Sequence, residues 1–125
     1  MSRLSLNKQM NIEVRVVLIA KGSDEPVTGK EYSVRLFDRD VFDDNYLGES
    51  SLDETGCAKF IITEKHFAGF AMLEEKPDFY FVVYKNKDQI FKSRVMQNFD
   101  LRNAEEFKIA EGEIIDLGTF LIDIR

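Results

Sequence analysis

The chain has 125 residues, is 44% hydrophobic and 32% charged, and carries a formal net charge of −6. This is the length of one domain, no Pro/Gly/Ser-rich linker divides it, and it can bury a core without staples. The lone Cys57 excludes an intramolecular disulfide, and an acidic chain whose 17 Lys and Arg are scattered singly excludes a phosphate-binding stripe.

Residues 1–10 are expected to form a flexible arm or an added edge strand, and residues 11–125 a single β-sandwich domain. The first ten residues hold no apolar stretch of signal-peptide length, and no window approaches the ~20 apolar residues of a membrane span, so a cytoplasmic protein without an integral membrane segment is expected. From Asn11, the residues Ile12, Val14, Val16 and Leu18 alternate with Glu13, Arg15, Val17 and Ile19, a β-branched period of two that predicts a strand. Its second half is apolar on both faces, which predicts cover on both sides or a contact between copies. Lys21 to Gly29 is a turn cluster with Pro26 at its centre, after which Tyr32, Val34 and Leu36 alternate with Ser33, Arg35 and Phe37.

An acidic loop follows, Asp38-Arg-Asp-Val-Phe-Asp-Asp-Asn45. Gly48 to Leu52 reads as a short edge strand, and Asp53-Glu-Thr-Gly56 as a tight turn that pairs it with Cys57 to Ile62 in a β-hairpin. Thr63 to Phe70 is the one helical stretch, with Thr63 as N-cap and Gly69 near its end. Phe79 to Tyr84 is a continuous aromatic and β-branched run that predicts a central strand, and Asn86-Lys-Asp88 turns it into a second hairpin with Gln89 to Val95. Residues 97–112 read as irregular. The last strand, Ile114 to Ile124, is expected to place Leu117, Thr119, Leu121 and Asp123 on one face.

Seven or eight short strands with one brief helix predict an all-β fold, an antiparallel two-sheet sandwich of transthyretin-like or immunoglobulin-like kind. Without Trp, its core is expected to be filled by Phe37, Phe42, Phe60, Phe67, Phe70, Phe79 and Phe81.

Four features occur in order: Pro26-Val27 with Gly29 before a strand ending Val34-Arg-Leu-Phe-Asp38; Tyr46-Leu-Gly-Glu49; Asp53-Glu-Thr-Gly56 before Phe60; and Asp116-Leu-Gly118 before the last strand. Together they resemble the transthyretin-like (prealbumin-like) sandwich family, most of all the extracellular transthyretin-related proteins of animals, over most of residues 11–124. That group is secreted and carries cysteine pairs. This chain, with Cys57 alone, departs from it, so lipid- or partner-binding roles do not carry over. The hydroxyisourate hydrolases of the same fold use several His, an Arg and a terminal Tyr-Arg-Gly-Ser; here only His66 is present and the chain ends Ile-Asp-Ile-Arg125, so the resemblance does not imply that activity. A partial resemblance to C2 domains rests on Asp38, Asp40, Asn45 and Leu47-Gly48-Glu49, without a second Asp-bearing loop.

Calcium takes about six to eight oxygen ligands, so Asp38, Asp40, Asp43, Asp44 and Asn45 form a candidate metal set. The competing reading, in which Asp and Asn bond locally to the backbone and hold a surface turn, is favoured. An EF-hand register fails because Phe42 and Asp43 stand where a ligand and Gly are needed and strands flank the loop. His66 has no ligand or base partner, the seven Gly sit singly rather than in a phosphate cradle, and the adjacent pairs Glu74-Glu75 and Glu105-Glu106 do not converge. No catalytic residue and no cofactor other than Ca²⁺ is therefore expected. Phe42 and Tyr46, apolar within an acidic loop, are the candidate partner contacts. The resulting expectation is a non-enzymatic module that binds a protein partner, or a second copy, through a sheet edge or the 38–49 loop; the alternative is a Ca²⁺-dependent module using the acidic loop.

Overall fold

Strict alternation buries one side of a strand and solvates the other, and this chain repeats that pattern often enough to build two facing sheets. The computed structural model describes residues 12–39, 44–62, 78–96, 108–109 and 112–124. The strands are β1 (Ile12–Ala20), β2 (Tyr32–Asp38), β3 (Asn45–Ser50), β4 (Cys57–Ile62), β5 (Phe79–Lys85), β6 (Asp88–Lys92), β7 (Lys108–Ile109) and β8 (Gly112–Ile122). The first sheet has the order β4-β1-β8-β7 and the second β3-β2-β5-β6.

The two-sheet sandwich is the expected fold, with one departure from all-antiparallel pairing: β1 lies parallel to β8. Inward rows Val14, Val16 and Leu18 of β1, Ala58, Phe60 and Ile62 of β4, and Ile115 and Ile122 of β8 meet Val34 and Leu36 of β2 and Phe79, Phe81 and Val83 of β5. Each Val, Leu, Ile or Phe side chain among them contributes about 1.5–3 kcal/mol on burial. β5 lies between β2 and β6, and its apolar run Phe79 to Val83 is buried on both faces of the sheet. Val17 and Ile19, on the outer face of β1, are half-buried.

Four expectations change. The segments either side of Asp53–Gly56 do not form a hairpin, because β3 and β4 belong to different sheets and the turn carries the chain across the sandwich edge. The Lys59 N–H donates to the Ser50 hydroxyl at 3.0 Å, stitching the sheets there. Second, Leu117 does not share a face with Thr119 and Leu121. The register slips between Arg15↔Asp116 and Val17↔Thr119, so β8 carries one extra residue. Gly118 takes φ +112 in this bulge, and its N–H donates to Asp116 Oδ1 at 2.9 Å. Leu117 and Ile122 are buried while Leu121 is exposed. Third, Phe37 is on the outer face rather than in the core, since Leu36 is its inward neighbour. Fourth, the stretch read as irregular contains β7, which pairs with β8. The predicted helix at 63–70, with Phe67 and Phe70, and residues 1–10 lie outside the described residues.

Candidate functional site: the β2/β3 corner and the outer face of the second sheet

Asp38 continues the inward row of Tyr32, Val34 and Leu36, so alternation turns its carboxyl inward at the end of the core, where it is 5% exposed. A buried carboxyl needs donors, and the residue just before β5 supplies one: the Asp78 N–H donates to Asp38 Oδ1 at 3.0 Å. The Asn45 amide approaches Oδ2 at 3.4 Å, and the Arg39 N–H donates to the Asp78 carbonyl at 2.9 Å. These bonds clamp the end of β2 to the start of β5.

Asp44 is tied in differently. Its Oδ2 accepts the Tyr80 hydroxyl at 2.5 Å, and burial together with that bond pushes the Tyr80 phenol up to about 12. Both described carboxylates of the candidate metal set thus serve donors of the protein. Among the described residues no three His, Cys, Asp or Glu gather as a metal group. Asp40, Phe42 and Asp43 lie outside the described residues.

Tyr46 is brought to the surface by the first residues of β3 and is 54% exposed. It leans on Phe37 with ring centroids 5.7 Å apart, and Phe37 stacks on Tyr80 at 5.1 Å and 10° between planes. The Lys92 ammonium sits 5.1 Å from the Tyr80 ring centroid, so one row crosses the sheet from β3 through β2 and β5 to β6. Next to it, Arg35 lies 4.9 Å over the Tyr84 ring and 3.8 Å from Glu49. The register that aligns Phe37 with both Tyr46 and Tyr80 makes these contacts possible.

Of the expected partner contacts, then, Tyr46 projects from a supported aromatic row. Sequence reasoning missed Phe37, Arg35 and Lys92 as parts of this surface, and the buried Tyr80 as its support. Parity could have found Arg35 and Phe37, because they alternate with buried residues of β2.

Cys57, at the start of β4, is buried, and burial pushes its thiol up from the ordinary value. That fits a packed strand residue rather than an activated nucleophile.

No family model and no curated protein matches the chain. Among solved structures it is similar to a 9R-lipoxygenase from Cyanothece PCC8801, with a TM-score of 0.54 and 18% identity, over 91% of this chain and 17% of that one. The likeness supports the fold alone, and this chain corresponds to a small part of that enzyme's length.

Proposed function

We propose that the chain is a non-enzymatic binding module of transthyretin-like character whose contact surface is the β2/β3 corner, with Tyr46 as its anchor for a protein partner. The observation that carries this reading is the supported exposure of Tyr46: a ring half open to solvent, held by Phe37 on the Phe37/Tyr80 stack. A rigid aromatic with a polar tip gains contact area at low entropic cost, the property of interface hot spots. The four motifs of the family resemblance fall at structural junctions: Val27 buried against β1, Tyr46–Glu49 in β3, Asp53–Gly56 at the sheet crossing, and Asp116–Gly118 at the β8 bulge. A likeness to a small portion of a longer chain also suits a module.

The test is Tyr46→Ser, compared with the parent by light-scattering mass across a concentration series and by cross-linked capture from a native extract. The expected result is loss of the parent's self-association or captured species, with the melting temperature kept. A stability loss as large as that of a core truncation would assign the ring to the fold and overturn the reading.

A further inference from the structure

The β5/β6 hairpin is basic although the molecule as a whole is acidic. Residues 79–96 carry Lys85, Lys87, Lys92 and Arg94 against Asp88 alone, in a chain of net charge −6. Lys87, Lys92 and Arg94 are exposed. β6 ends the order β3-β2-β5-β6, so among the described residues it pairs with β5 only. The β3/β4 side differs, because there the Lys59 N–H is taken by Ser50 and the Asp53 N–H by the Cys57 carbonyl, at 3.0 Å each.

The backbone direction at β6 follows from its hydrogen bonds. The Ser93 N–H donates to the Phe81 carbonyl at 2.9 Å, and the Phe81 N–H donates to the Ser93 hydroxyl at 2.9 Å. Ser93 therefore faces β5. Its neighbour Lys92, opposite Val82, turns its N–H and C=O to the open side, as alternation in an antiparallel ladder requires. The Lys92 side chain lies on the outer face, over Tyr80. An outward backbone pair is thus flanked by three exposed cations.

We propose that the β6 edge receives an extended acidic peptide segment of a partner protein by strand addition. Main-chain pairing would supply affinity, and Lys87, Lys92 and Arg94 would select carboxylate side chains. The same cations exclude a second β6 edge, because pairing two copies would set like charges side by side; edge lysines usually serve that purpose. An acidic strand is the one extended partner for which they turn from repulsive to attractive. This inference shares the view of the chain as a binding module but uses the opposite edge from Tyr46, so the two stand or fall separately.

The experiment uses the full chain and a blocked synthetic peptide alternating Thr and Glu, with its Thr/Lys counterpart as control. Backbone amide shifts locate the site, and titrations at low and high salt give the affinity. The expected outcome is binding of the Thr/Glu peptide alone, with shifts centred on β6 and weakening at high salt. Charge reversal by Lys87→Glu, Lys92→Glu and Arg94→Glu together should weaken it by roughly tenfold or more. Lys92→Pro removes an outward N–H without removing a β5/β6 bond, so it should keep the melt and lose the peptide. Tyr46→Ser should leave this binding unchanged. No binding of the Thr/Glu peptide, equal binding of both peptides, shifts centred on the β2/β3 corner, or binding that survives both β6 variants would each overturn the inference.

Discussion

Asp38 and Asp53 both stand where an apolar segment gives way to a polar turn, and the structure uses them in different ways. Asp53 is solvated and does all its visible work within four residues: its Oδ1 accepts from the Thr55 N–H at 2.8 Å, the Thr55 hydroxyl at 2.6 Å and the Cys57 N–H at 3.0 Å. Asp38 is buried, and the Asp78 N–H comes to it from 40 residues away. One carboxyl shapes a local turn and the other joins two strands. The difference shows that carboxylate density in a loop says little about metal until the burial and donors of each group are known.

The comparison is sharpest in stability, and the largest effect should come from Asp38. Asp38→Ala strands the part-buried Asp78 N–H and opens the clamp between β2 and the start of β5, with an expected loss of about 3 kcal/mol in urea unfolding. Asp38→Asn keeps an acceptor and should lose less. A loss under about 1 kcal/mol for the alanine variant would remove the clamp from the account.

On the other side of the comparison, Gly56 closes the Asp53 turn at φ +79, where an added Cβ would sit 2.4 Å from the Leu18 carbonyl oxygen. Because that neighbour is backbone, Gly56→Ala should cost about 2–3 kcal/mol, more than removing the aspartate that shapes the same turn. Asp53→Ala should cost about 1 kcal/mol.

The pH dependence separates the loops again. The Thr55 hydroxyl, then the Cys57 and Thr55 amides, hold the Asp53 carboxyl below its ordinary range. A lowered folded value means that the contribution is present above the unfolded value of about 4 and is lost as pH falls through the folded one. Asp53→Asn should therefore flatten the acid limb of a stability profile. At the Asp38/Asp44 corner the sign reverses: with Tyr80 raised from 10.0 to about 12, its contribution is complete below pH 10 and lost as pH rises toward 12. Tyr80→Phe should flatten the alkaline limb, and an unchanged limb would remove the Tyr80/Asp44 bond from the account. The smallest effect belongs to Tyr46→Ser, expected within about 0.5 kcal/mol of the parent because the ring is already half solvated.

Much of this was legible in the residues themselves. Alternation placed β1 and β2 and separated the two faces of each. The apolar run from Phe79 marked a strand between two others, and Asn86-Lys87 announced a hairpin turn. The Asp53 turn was readable because its bonds span only a few residues. Even the inward position of Asp38 follows from counting on from Tyr32, Val34 and Leu36.

What tertiary structure decided was whatever depends on which strands meet. A turn such as Asp53–Gly56 reverses the chain equally well into the same sheet or across to the other, so the hairpin expectation failed there while the turn itself held. The bulge at Gly118 inverted the face of every residue after it, and a pattern with period two cannot reveal one inserted residue until a partner strand sets the register. The aromatic row Tyr46, Phe37, Tyr80 and Lys92 comes from four strands. Period and turn chemistry act between near neighbours and are written in order along the sequence, whereas register and sheet membership arise from the joint burial of distant strands.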